Sequence, residues 1–84
     1  VFRENILVNN NEKGKVIMEI DSKVSDLEEI LSINRIDGLN IKFNQGRVLI
    51  RPSGTEPLIR ITIESKNQKW AEIILNKIKN VIKN

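Results

Sequence analysis

Alternation of apolar and polar side chains in the second half of the sequence constrains the fold of this chain more than any other feature. Residues 39–43 read LNIKF, a period of two that resumes in RVLIR at 47–51 and again in IRITI at 59–63. Successive side chains of a strand point to opposite faces of a sheet, so each run presents one apolar face. A short glycine-containing turn separates the first two runs, and a proline-bracketed segment separates the last two. The pattern predicts three consecutive antiparallel strands.

Before these strands, residues 11–32 carry apolar side chains three and four positions apart, which predicts one amphipathic helix. Its apolar positions are Val16, Ile17, Ile20, Val24, Leu27, Ile30 and Leu31. Ser25 and Glu28 resemble a second helix start, so a break near Asp21 and Ser22 stays open. For KVIMEI at residues 15–20, a short strand is the alternative to a helix. Residues 1–10 are expected to form an edge strand or a connection from something upstream.

After the strands, helical spacing returns. Ser65 and Gln68 match a capping box, which predicts that a last helix begins there. Trp70 falls on its apolar stripe, and we interpret it as a core anchor rather than a platform for stacking bases. The element order therefore predicts one α+β domain spanning residues 1–84, because a chain of 84 residues can build only one core.

Composition excludes several kinds of chemistry. The sequence has no cysteine and no histidine, so thiol nucleophiles, imidazole bases and the usual zinc ligands are absent. A net charge of +3 slightly favours anionic partners but is too small to predict nucleic-acid binding. No apolar run approaches the length that a bilayer demands, and the first residues do not resemble a signal peptide. We therefore expect no membrane partner and a cytoplasmic protein.

The segment RPSGTEPLIR at residues 51–60 carries the functional signal. Alternation places Arg51 and Arg60 on the face opposite the core. With residues 52–57 as the loop, Arg51 would pair with Leu58 and Leu49 with Arg60, which makes the two arginines diagonal neighbours within reach of one ligand. Their like charges repel, so a bound anion would relieve an energetic cost.

Two interpretations of this segment stay open from the residues alone. In the first, the segment is a phosphate cradle: arginine offers a fork that matches phosphate, hydroxyls donate hydrogen bonds, and glycine lets backbone amides approach an anion. The residues of that cradle are Arg51, Ser53, Gly54, Thr55 and Arg60. In the second, Pro, Ser, Gly and Thr only form a turn, and the arginines cover apolar surface or pair with Glu56 and Glu64. Glu56 would repel an anion unless it points away, and it could instead fix the loop or contact a sugar hydroxyl.

The sequence GRVLIRPSGTEPLIRITIES resembles the phosphate-binding loop in the C-terminal domain of the phosphohexomutases, which include phosphoglucomutase, phosphomannomutase and phosphoglucosamine mutase. The resemblance is continuous from about Ile36 to Ser65. It implies an antiparallel sheet with helices packed on one face, similar to the TATA-binding-protein-like fold. It also implies that the five cradle residues hold the phosphate of a hexose phosphate or hexose bisphosphate.

In that family a phosphoserine passes its phosphoryl group to the sugar, a bisphosphate reorients, and the other phosphate returns to the serine. The phosphoserine, the magnesium-binding loop and the sugar-recognition loop belong to upstream domains, and this sequence resembles none of them. The resemblance therefore implies no catalytic residue and no metal ligand here, with Mg²⁺ bound by an upstream domain of the full-length enzyme. A free-standing anion- or nucleic-acid-binding module is the alternative function, although aromatic residues for base stacking are few.

Overall fold

The computed structural model describes residues 1–27 and 29–82, together with the backbone of Lys83. In chain order its elements are β1 (Phe2–Leu7), α1 (Lys13–Ser25), β2 (Ser32–Asn34), β3 (Leu39–Phe43), β4 (Gly46–Pro52), β5 (Leu58–Ser65) and α2 (Gln68–Lys83). The five strands form one antiparallel sheet in the order β1-β5-β4-β3-β2. The three consecutive strands that alternation predicted are β3, β4 and β5. The predicted α+β class is thus confirmed, and β1 occupies one edge of the sheet.

One face of the sheet carries the hydrophobic core. Side chains from β3, β4 and β5 meet side chains from both helices in a single cluster, and its most buried members are Ile20, Val24, Ile41, Phe43, Val48, Ile50, Ile59, Ile61, Ile63 and Ile78. Burying one such side chain contributes about 1.5–3 kcal/mol, which makes this face the main source of stability. Both helices cover the same face, as expected. The described elements leave the opposite face of the sheet open.

The first helix is shorter than the spacing predicted. It ends at Ser25, where the Asp26 amide donates to carbonyls of the last turn, and it runs unbroken through Asp21 and Ser22. Leu27 and Ile30 still pack against the core from non-helical chain, whereas Leu31 is half exposed. Glu28, part of the proposed second helix start, lies outside the described residues. The strand alternative for residues 15–20 is wrong, because they are helical.

The strand β2 was not predicted from the sequence. It is three residues long and pairs with β3 at the edge of the sheet. Its connection to β3 requires Gly38, which has a φ of 94° and whose added Cβ would lie 2.2 Å from the Ile50 carbonyl oxygen. Beside it, the Arg35 guanidinium donates two hydrogen bonds to the Asp21 carboxylate, at 2.8 and 3.3 Å. This pair joins the end of α1 to the β2–β3 connection.

The last helix begins with a cap different from the predicted one. The Asn67 side-chain oxygen accepts a hydrogen bond from the Trp70 amide at 3.0 Å, so Asn67 is the N-cap. Ser65 instead stabilises the turn that precedes the helix: its hydroxyl oxygen accepts a hydrogen bond from the Asn67 amide at 2.9 Å. Trp70 is buried and meets the Phe43 ring edge to face at 5.8 Å, which confirms it as a core anchor. No helix in the described part of the chain is long and apolar enough to cross a membrane.

Candidate anion-binding site

Arg51 and Arg60 lie directly opposite each other on β4 and β5, so the predicted diagonal register is wrong. Pro52 continues β4 and pairs with Ile59, and the Ser53 amide donates to the Leu58 carbonyl at 3.0 Å. The loop is therefore residues 53–57, shorter than expected, and is called the β4–β5 loop below. Side chains directly opposite in an antiparallel pair have Cβ atoms about 4.5–5.5 Å apart. The two guanidinium groups therefore start from closer positions than the sequence suggested, on the open face of the sheet.

An open cavity of about 630 Å³ lies where this face meets the β4–β5 loop. The structure brings the five predicted cradle residues together around it: Arg51, Ser53, Gly54, Thr55 and Arg60. Arg3 also lines the cavity, because β1 pairs with β5 and places Arg3 opposite Thr62. Arg3 was not predicted from the sequence. Its only signal was alternation in FRENIL, which becomes informative only once the strand pairing is known.

Some of the arginines around the cavity have an acidic partner and others do not. Arg60 Nη2 lies 4.0 Å from Glu56 Oε1, and both side chains are more than half exposed. An exposed pair at that distance contributes about 0–1 kcal/mol and is easily exchanged for another partner. Arg47, on the same strand and face as Arg51, does not line the cavity, but it pairs at 3.9 Å with Glu64, which does. Within the described residues, Arg51 forms no ion pair.

The β4–β5 loop keeps several hydrogen-bond donors available. The Ser53 hydroxyl oxygen accepts the Glu56 amide at 3.1 Å and, more weakly, the Thr55 amide at 3.4 Å, which leaves the hydroxyl proton free to donate. No described residue accepts a hydrogen bond from the Gly54 amide. A Cβ added to Gly54 would meet nothing within 4 Å, so the fold does not require glycine here. The absent side chain instead leaves the loop open to a ligand.

Lys13 lies behind the loop, on the opposite side from solvent. It is the first residue of α1 and is only 9% exposed. Its ammonium donates hydrogen bonds to the carbonyl oxygens of Ser53 and Glu56, both at 2.6 Å. Nothing in the sequence indicated this contact, because a lysine among polar residues at a helix start is typical of a solvated position. The Val8 amide also donates to the Pro57 carbonyl, at 2.8 Å.

The described residues fit an anion and do not fit a metal ion. Among them, no group of three or more Asp, Glu, His or Cys side chains is arranged to hold a metal. The cavity offers cationic side chains, a hydroxyl proton and a backbone amide as donors, and its lining carboxylate, Glu64, lies 3.9 Å from Arg47. The chemistry that this arrangement supports is therefore the recognition of an anion with several acceptor oxygens.

Sequence comparison identifies the family. A model of the phosphoglucomutase/phosphomannomutase C-terminal domain matches residues 4–81. The chain therefore belongs to the phosphoglucomutase/phosphomannomutase family and represents its C-terminal domain. Curated relatives include a probable phosphoglucosamine mutase of Methanothermobacter thermautotrophicus, 43% identical over 77 residues, which cover 88% of this chain and 17% of that protein.

Two further relatives cover more of the chain. The probable phosphoglucosamine mutase of Methanobrevibacter smithii is 40% identical over 98% of this chain and 19% of its own length. The phosphoglucosamine mutase of Finegoldia magna is 41% identical over 92% of this chain and 16% of its own length. The chain thus spans less than a fifth of the curated relatives that it matches.

A solved structure supports the fold. A phosphoglucomutase/phosphomannomutase family protein from Burkholderia thailandensis superposes with a TM-score of 0.67 at 19% identity, over 98% of this chain and 17% of that one. At that identity the match concerns the fold alone. It shows that a sheet with two helices on one face is the architecture of a domain within this family.

Proposed function

We propose that this domain holds the substrate phosphate in a phosphosugar mutase that interconverts hexose 1-phosphates and hexose 6-phosphates through a phosphoserine and a bisphosphate intermediate. The observation that carries the proposal is the direct opposition of Arg51 and Arg60 beside a loop with unused donors. Fixing two like charges side by side on an exposed face costs energy that a dianion between them would recover. A turn with no ligand gains nothing from that arrangement.

Each cradle residue has a distinct role in the proposed complex. Arg51 and Arg60 present planar forks that match pairs of phosphate oxygens. The Ser53 hydroxyl proton and the Gly54 amide donate to the remaining oxygens, and Thr55 adds a hydroxyl at the rim. Glu56 exchanges its weak contact with Arg60 for a contact with a sugar hydroxyl or with solvent when the phosphate binds.

In the proposed reaction this domain contributes binding energy rather than chemistry. It holds the phosphate that is not reacting, and this positions the other end of the sugar for phosphoryl transfer elsewhere in the enzyme. The cradle recognises only phosphate, so it serves the substrate in both orientations. The phosphoserine, the Mg²⁺ ligands and the sugar-ring contacts are proposed to lie in upstream domains of a cytoplasmic enzyme. The 84-residue chain by itself should then have no mutase activity.

A titration of the isotope-labelled chain with inorganic phosphate and with glucosamine 6-phosphate, followed by amide NMR, tests the proposal. The names of the relatives make glucosamine 6-phosphate the first hexose phosphate to try. The amides of Ser53, Gly54 and Thr55 should shift first, with weak affinity, because the sugar contacts are missing. A mutase assay of the same sample with Mg²⁺ serves as the activity control.

Arg47→Ala is the matched variant for this titration, since it removes an arginine from the same strand and face but outside the cavity. It should weaken phosphate binding far less than Arg51→Ala, because Arg47 does not line the cavity and its exposed contact with Glu64 is weak. Shifts confined to the exposed face of α2, which carries Lys69 and Lys77, would overturn the proposal, and so would measurable turnover by the pure chain. Binding of single-stranded nucleic acid without binding of phosphate would support the alternative module instead.

A further inference from the structure

We infer that Lys13 is a positioning residue for the phosphate cradle: its buried ammonium holds the β4–β5 loop in the conformation that receives an anion and adds positive charge behind it. This inference rests on the proposed function and extends it to a residue outside the RPSGTEP segment. Lys13 lies 40 residues from Ser53 and 43 from Glu56, so the contact is tertiary. It ties the start of α1 to the loop.

The two hydrogen bonds of Lys13 fix the direction of a peptide group. A trans peptide is planar, with its carbonyl and its N–H pointing in opposite directions. The Ser53 carbonyl belongs to the same peptide group as the Gly54 N–H, and it accepts from Lys13 Nζ at 2.6 Å. The Gly54 amide is therefore directed away from the ammonium. No described residue accepts a hydrogen bond from this amide, which leaves it available to a ligand.

The second contact stabilises the far end of the loop. The Glu56 carbonyl precedes Pro57, so its peptide group has no N–H, and its oxygen accepts from Lys13 Nζ at 2.6 Å. Without Lys13, the Ser53 carbonyl would lose its donor and the Glu56 carbonyl would keep only the Leu58 amide, at 2.8 Å, so the loop would reorient toward water. Such a reorientation would also turn the Gly54 amide away from its present direction.

No described acid forms an ion pair with Lys13, although its side chain is buried. Lys79 is a useful contrast, because its ammonium pairs with the Glu4 carboxylate at 2.8 Å. Unpaired positive charge is weakly screened when it is buried, so the Lys13 ammonium raises the electrostatic potential at the loop. A bound dianion supplies the missing countercharge.

Lys13→Met tests the inference, with Lys79→Met as the matched control. Both variants remove an ammonium and keep an apolar stem, but only Lys13 contacts the loop. In a titration with inorganic phosphate, Lys13→Met should raise the Kd at least roughly tenfold, the effect of about one charge-assisted hydrogen bond. It should also shift the Gly54 and Thr55 amides before phosphate is added. Lys79→Met should keep the wild-type Kd. A wild-type Kd in Lys13→Met would overturn the inference.

A measurement on the unmutated chain decides the question even if Lys13→Met does not fold. The Lys13 ammonium, selectively labelled, should give a protected NMR signal that shifts during the phosphate titration and saturates at the same Kd as the Gly54 amide. A protected signal that phosphate leaves unchanged would contradict the inference. If the wild-type loop amides do not respond to phosphate at all, the proposed function fails first, and the role of Lys13 falls with it.

Discussion

Replacing Arg51 with alanine should separate binding from stability. Arg51 is exposed, has no ion pair among the described residues and faces Arg60 directly across the strand pair. Two unit charges roughly 6 Å apart in water repel by about 0.7 kcal/mol. The free energy of unfolding of Arg51→Ala should therefore stay unchanged or rise by less than about 1 kcal/mol. Arg60→Ala should behave similarly, because the contact with Glu56 that it also loses contributes little to stability.

Phosphate binding, in contrast to stability, should weaken strongly when either arginine is replaced. Each arginine is proposed to donate charge-assisted hydrogen bonds to phosphate, worth about 1.5–3 kcal/mol. Losing them corresponds to an increase in Kd of about ten- to 150-fold, and to a comparable decrease in kcat/KM of the complete mutase. Arg51→Lys should recover only part of the affinity, because an ammonium cannot reproduce a bidentate fork.

Urea denaturation gives the free energy of unfolding, and the phosphate titration gives the Kd. Arg47→Ala provides the control, since it removes an arginine of the same strand without entering the cavity. Its Kd should change far less than that of Arg51→Ala, because its exposed contact with Glu64 is weak. An Arg51→Ala variant that unfolds the domain, while its folded fraction binds phosphate with unchanged affinity, would refute the cradle. In that case the arginine is structural and the cradle is misassigned.

Two smaller predictions follow from the same structure. Gly54→Ala should change the free energy of unfolding by no more than about 1 kcal/mol, because its Cβ would meet nothing within 4 Å, yet it should weaken phosphate binding by occupying the mouth of the loop; an unchanged Kd would contradict this. A hydrogen bond from Arg35 lowers the pKa of Asp21 below its usual 3.8, so the pair stabilises the fold above that pH and its contribution is lost as the pH falls through the lowered pKa. Asp21→Asn should accordingly flatten the dependence of stability on pH in the acid range, measured by urea denaturation, and an unaltered slope would argue against the pair.

The sheet could be predicted well where one periodicity dominated. Strands β3, β4 and β5 alternate cleanly because each has one buried and one open face. The helix α1 was predicted too long because Leu27 and Ile30 reach the core without helical backbone, so apolar spacing continued past the helix end. The strand β2 has three residues, too few for a period of two to stand out from its surroundings.

The site was predicted in composition but not in geometry. RPSGTEP identified the loop from the sequence. The strand register, however, depended on whether Pro52 ends β4 or continues it. Because proline cannot donate to a sheet ladder, it usually indicates that a strand ends, but here β4 continues through it. Arg3 and Lys13 approach the loop from segments far away in sequence. Their contribution arises from pairing and packing, which no local pattern encodes. Lys13 in particular has the sequence context of a solvated side chain.

The position of β1 in the sheet has a consequence for folding during synthesis. Within the described residues β1 pairs with β5 alone, so the first strand of this domain to leave the ribosome has no sheet partner until the last strand of the domain has emerged. The intervening helix and hairpins close quickly through local contacts, but the pairing of β1 must wait for a long chain closure. Val8 reaches Pro57 only after that closure. The β4–β5 loop would therefore be among the last parts of the domain to acquire its final shape.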